Sequence, residues 1–139
     1  MLMTPADERP LGAQEAAMGF FLVFIGSGIG GALRHGVGLL SLRLLGPAFP
    51  YATLAINIVG SASMGLVVAL FAAGDIAGQD TRLFLSTGII GGFTTFSTFS
   101  LDAVTLWDRG QPIAAIGYVL GSVTLSLGAL LLVLLLMRR

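Results

Sequence analysis

LFLSTGIIGGFTTFSTFSL, residues 83–101, runs without a single charge. Its first half reads as an ordinary apolar membrane segment. Its second half, GGFTTFSTFS at 91–100, sets two glycines ahead of five hydroxyl residues threaded between three phenylalanines. A lipid-facing helix gains nothing from those hydroxyls, and a soluble loop has no need of the rings.

The same lack of charge recurs on both sides. Leu44 to Gly74 and Gly110 to Met137 are uncharged, and Met18 to Leu33 continues past Arg34 and His35 to Leu42. Each run reaches or approaches the ~20 apolar residues with which a helix crosses a bilayer. In hydrocarbon every backbone N–H and C=O must be paired internally, so such runs become helices. Of the 139 residues, 55% are hydrophobic and 10% charged, less than half the ~25% charge of soluble domains. Mean hydropathy is +0.95. The expected fold is an all-α integral membrane protein with four transmembrane helices.

The helices are expected at about Met18–Leu44, Pro50–Ala73, Arg82–Trp107 and Gln111–Met137, behind a polar N-terminal tail over residues 1–15. Residues 16–139 would form a single domain. Turns are marked by Gly46-Pro47, by Gly74 to Gln79, and by Asp108-Arg109-Gly110. The first span does not read as a secretory signal, because Asp7, Glu8, Arg9 and Glu15 make its leading flank acidic rather than basic. Zero cysteines exclude disulfides and thiolate metal sites. A single histidine and no inward carboxylate cluster leave no evident hydrolytic or redox centre, so an enzyme is not expected. Nor is a nucleic-acid partner.

Arginine placement bears on topology. With four spans, Arg9, Arg82, Arg138 and Arg139 share one side. Arg43 and Arg109 face the other, joined by Arg34 if it lies near that helix end. So even a balance points to insertion in both orientations and to pairing of opposite copies as an antiparallel, dual-topology homodimer. One orientation with cytoplasmic termini is the alternative.

Polar groups in hydrocarbon are costly, so their positions are informative. Thr53, Asn57 and Ser61 recur every four residues on the second helix, with Gly65 continuing the stripe. Tyr118, Ser122 and Ser126 do the same on the fourth. The third carries Thr94, Thr95, Ser97, Thr98 and Ser100. A shared interior accommodates all three stripes, although Ser and Thr in membrane helices also commonly bond back to their own backbone. Asn57 has two donors and an acceptor to satisfy. Gly26-x-x-x-Gly30 and Gly117-x-x-x-Gly121 read as packing surfaces.

Gly91-Gly92 is a weak point, since glycine costs ~1 kcal/mol against alanine in a helix interior. The third helix is therefore expected to break near Gly91–Thr95, with the following Thr and Ser re-satisfying freed backbone groups. Carbonyls exposed there are ligands for a small hard cation. Phe96 and Phe99 share a face, and aromatic edges are positive. Edges beside hydroxyl and amide donors suit an anion that must bind well enough to lose water yet still leave. Ordinary core filling is the other reading of the two rings. Arg34 either snorkels to the headgroups or concentrates anions at an entrance. His35 and Trp107 read as interfacial, and Asp102 as a helix-end charge or an arginine's partner.

With GGFTTFSTFS, Gly30-Gly31-Ala-Leu-Arg34, Thr53-Leu-Ala-Ile-Asn57-x-x-Gly60 and the Tyr118/Ser122/Ser126 register, the chain resembles the Fluc (CrcB-type) family of small bacterial fluoride channels over residues 18–137. The resemblance implies a dual-topology homodimer with two pores, in the bacterial plasma (inner) membrane, passively conducting fluoride and excluding chloride. Asn57, Phe96 and Phe99 would line the route. Ser97, Thr98, Tyr118, Ser122 and Ser126 would form or support a polar track, and Arg34 would match a vestibule arginine. A structural Na⁺ at the dimer interface would be held by the carbonyls of Gly91 and Thr94 from both copies. His35 stands where relatives often have an aromatic residue, and Asp102 where some carry glutamate. Two other readings compete: a small multidrug-type exchanger, which needs an intramembrane carboxylate, and a non-transporting scaffold subunit.

Overall fold

The computed structural model describes residues 12–75 and 78–138. Their regular elements are α1 (Ala13–Leu45), α2 (Tyr51–Ala73), α3 (Gln79–Arg82), a π-helical segment (Leu83–Ile90), α4 (Gly91–Phe93), α5 (Phe96–Asp108) and α6 (Pro112–Leu136). Four of these stretches are long and apolar enough to cross a membrane: α1, α2, the composite Gln79–Asp108 and α6. They fall on the four uncharged runs, and the chain is a multi-pass membrane protein. Phe20, Phe24, Ile113 and Leu136 are largely exposed, as expected of side chains that a bilayer solvates.

Most of the predicted tail lies outside the described residues, but its end does not. α1 begins at Ala13 rather than near Met18. The Glu15 carboxylate there accepts the Gly12 N–H at 3.1 Å, satisfying one orphan donor of the first turn. The turns fall where Gly and Pro mark them. α2, for example, stops at Gly74, whose φ of 77° and ψ of 8° form the left-handed cap that glycine adopts without a Cβ penalty.

The third span is divided between two partners. Its first half, the π segment and α4, packs on α1, whereas α5 packs on α6, and α6 lies along α2. Glycine makes the α1 contact possible. A Cβ on Gly26 would come within 2.8 Å of Gly88 Cα, and one on Gly92 within 2.6 Å of Ser27 O. At Gly30 a Cβ would collide with the Ile89 carbonyl. Backbones therefore touch along this seam, as small residues permit in membranes. The Gly26-x-x-x-Gly30 expectation is met within the chain. Gly117 and Gly121 have nothing within 4 Å of where a Cβ would sit, because their side of α6 turns away from the bundle.

The chain's own core is small. Phe99, Leu106, Ala115 and Tyr118 form it, with Phe49, Leu54, Ala103 and Val119 packed against them. It lies where α5 meets α6, directly beyond the break in the third span.

Candidate functional site

Thr94 is extended, with φ −76° and ψ 160°, and so is Thr95, with φ −155° and ψ 118°. The interruption lies here, inside the expected window but past the glycine pair. Gly91 itself keeps helical angles of −62° and −39°. Close approach to Ser27 accounts for Gly92, and the break follows from side-chain bonding two residues on.

Thr95 is the hub of that bonding. Its Oγ1 accepts the Thr98 N–H at 3.2 Å and donates to Thr98 Oγ1 at 3.0 Å, with Ser97 Oγ at 3.3 Å. This is an N-cap, the side-chain oxygen replacing a carbonyl the helix lacks. From α2, Asn57 Nδ2 donates to Thr95 O at 3.1 Å while Asn57 Oδ1 accepts the Thr95 N–H at 3.0 Å. One amide N–H of Asn57 is left for another partner.

These bonds divert donors from the helical ladder. In an unbroken helix the Thr95 N–H would bond Gly91 O, and the Thr98 N–H would bond Thr94 O. Both carbonyls are released. Thr94 O receives Arg34 Nη1 at 3.4 Å. The break thus has two unlike ends: a carbonyl-rich C-terminal end at Gly91–Thr94, which favours cations, and the N-terminal end of α5, which favours anions.

A cavity of about 500 Å³ opens on this junction, lined in part by Asn57, Gly91, Thr94, Phe96, Phe99, Ser122 and Ser126. Three of the four spans contribute to it, as the three polar stripes require. Ser122 Oγ and Ser126 Oγ are buried and have no hydrogen-bond partner among the described residues. An unpartnered buried hydroxyl is unfavourable by ~1–3 kcal/mol. Two of them on one wall leave room for a polar occupant.

The rings form a line. Phe96 and Phe99 have centroids 5.4 Å apart at 41°, and Phe99 and Tyr118 are 5.4 Å apart at 39°. Phe99 is 8% exposed but Phe96 is 79% exposed. The sequence put both on one face, and the structure separates them: one ring closes the inner wall while the other stands at the open rim. Tyr118, 1% exposed, has its hydroxyl near Thr53 and Ser122 without meeting hydrogen-bond geometry to Ser122, and donates to Asp102 Oδ2 at 3.2 Å. Beyond it a second recess of about 300 Å³ is lined in part by Thr53, Asp102, Thr105 and Arg109.

The predicted residues thus divide into groups. Asn57, Phe96, Phe99, Ser122, Ser126, Gly91 and Thr94 meet at the larger cavity, and Arg34 reaches it through Thr94 O. Ser97 and Thr98 are exposed and are hydrogen-bonded to Thr95 Oγ1. Tyr118 stands behind Phe99. Ser100 bonds back to the Phe96 carbonyl one turn earlier, the packing role open to any such hydroxyl, and Ser63 and Thr124, which carried no expectation, do the same. Asp102, expected as a helix-end charge or an arginine's partner, accepts the Tyr118 hydroxyl. Thr95 was not singled out, although a threonine directly ahead of a helical run is an N-cap signal. Among the described residues no group of three or more His, Asp or Glu side chains could hold a metal ion, which leaves oxygen atoms of the backbone and hydroxyls for any cation.

Four spans, one of them interrupted beside a cavity of neutral dipoles, define a multi-pass membrane protein with a polar centre. Residues 21–134 match the sequence model of the family described as CrcB-like protein, Camphor Resistance (CrcB), and the chain belongs to that family. It is 59% identical over 102 residues to a protein of Methylobacterium nodulans, covering 73% of this chain and 82% of that one. It is 52% identical over 121 residues to one from Granulibacter bethesdensis, covering 87% and 95%. A Mesorhizobium japonicum protein is 52% identical over 111 residues, covering 80% and 89%. All three relatives are named fluoride-specific ion channel FluC.

Proposed function

We propose that this protein is a fluoride channel of the bacterial inner membrane that lets cytoplasmic fluoride leave passively and excludes chloride. The observation that carries the reading is the pair of orphaned hydroxyls, Ser122 and Ser126, on the cavity wall. With the free Asn57 N–H and the α5 N-terminus, they offer donors and no formal charge. Fluoride is small and strongly hydrated, so closely spaced donors replace its water best. Chloride is too large for a passage of ring edges and short hydroxyls. Neutral donors hold an anion loosely enough to release it, as conduction requires. Such a pore relieves fluoride that entered as membrane-permeant hydrogen fluoride.

The cavity is open on one side in the single chain, with Phe96 at its rim. A second copy in the opposite orientation would close it, making a dual-topology homodimer with two pores. Gly91 and Thr94 carbonyls from both copies would then hold a structural Na⁺. Their release from helical bonding fits a hard cation, which would neutralise the negative ends of two broken helices. Arg34 would stand in the vestibule, and Ser97, Thr98 and Tyr118 would support the polar track.

Purified protein in liposomes tests this by electrode. Fluoride efflux without chloride efflux is expected. Efflux of neither ion would favour a scaffold subunit, and exchange driven by a proton gradient would favour a multidrug-type exchanger.

A further inference from the structure

Arg34 lies one helical turn beyond Gly30 and two beyond Gly26, so all three share a face of α1. The glycines bring that face into backbone contact with Gly88, Ile89 and Phe93. The next side chain along the face therefore arrives at the break. Its hydrogen bond, Nη1 to Thr94 O at 3.4 Å, is Arg34's one hydrogen bond among the described residues. A guanidinium thus already serves a carbonyl that the cation reading of the preceding section assigns to Na⁺.

We infer that Arg34 opposes the interface cation at the Thr94 carbonyl, and so sets how much Na⁺ the assembled protein needs. A carbonyl oxygen has two lone pairs, so it can accept from both. The two positive charges nevertheless repel, and more strongly here than in bulk water. Arg34 is a positioning residue in this role: it holds the break in shape before the cation binds and weakens its binding afterwards.

The test uses the full chain, purified and titrated with NaCl against N-methylglucamine chloride at constant ionic strength. Melting temperature and dimer fraction are the readouts. In wild type both should rise with Na⁺. In Arg34→Gln the midpoint should fall about tenfold, equivalent to ~1.4 kcal/mol. Should Arg34→Gln fail to fold, Arg34→Met keeps an unbranched apolar stem and removes the charge, and its midpoint should fall by a similar factor. A wild type that responds to Na⁺, with variant midpoints unchanged or higher, overturns the role of Arg34 alone. A wild type indifferent to Na⁺ overturns the cation reading and this inference with it.

Discussion

Asn57 and Thr95 are joined twice, the amide donating to the Thr95 carbonyl at 3.1 Å and accepting its N–H at 3.0 Å. The two residues are 38 positions apart and on different spans. A single side chain thus replaces both backbone partners that Thr95 would have in a helix. The break is held open from across the bundle.

Asn57→Asp should abolish fluoride efflux from liposomes. The carboxylate cannot donate to Thr95 O, and it sets a negative charge on the cavity wall. At 4 Å and an effective dielectric of 20, like charges repel by ~4 kcal/mol, about a thousandfold in occupancy. Efflux at the wild-type rate would remove Asn57 from the ion's route.

The two phenylalanines should respond differently to the same change. Phe96 is 79% exposed and Phe99 8%. Phe96→Ile should cut fluoride flux while leaving melting temperature and dimer fraction near wild type. Phe99→Ile disturbs the packing with Tyr118 and should lower both flux and stability, the latter by ~1–3 kcal/mol. Equal melting temperatures for the two variants would contradict the inner and rim assignments.

Thr95→Val keeps the shape and removes the cap. A lost N-cap costs ~1 kcal/mol, and Thr98 loses a partner for both its N–H and its hydroxyl. Thr95→Ser should restore most of the stability. Thermal melts of the two variants check this, and equal losses would mean that the methyl group rather than the hydroxyl matters.

Within α1, Gly30 and Gly28 form a matched pair. A Cβ at Gly30 would lie 2.7 Å from Phe93 N, whereas one at Gly28 meets nothing within 4 Å. Gly30→Ala should destabilise by ~1–3 kcal/mol through overpacking. Gly28→Ala should be neutral or slightly stabilising in melts of the same preparation.

The spans were legible because bilayer thickness imposes a length and hydrocarbon forbids charge. Leu83–Leu101, Leu44–Gly74 and Gly110–Met137 satisfy both conditions, and the first run reaches span length by carrying Arg34. Position along the third span was less legible. Gly91-Gly92 looked like the weak point, yet both glycines stay helical, Gly92 pressed against Ser27 of α1, and the break falls at Thr94–Thr95. That outcome depends on Asn57, a partner no local pattern reveals. Spacing of every four residues placed Ser122 and Ser126 on one face, but only packing of three spans could leave their hydroxyls unpartnered. It likewise put Phe96 and Phe99 together without saying which one faces in. The π-helical turn over Leu83–Ile90 had no signal in residue type, since the same apolar residues serve an α-helix equally well.

The claim beneath all of this is that neutral dipoles alone select and pass fluoride. Reversal potential in a planar bilayer, with a fluoride gradient on one side and an opposed chloride gradient on the other, measures that directly. The current should reverse at the fluoride equilibrium potential, about 59 mV per tenfold gradient for a monovalent ion, and stay there as pH changes. Reversal near zero or at the chloride potential would contradict the account.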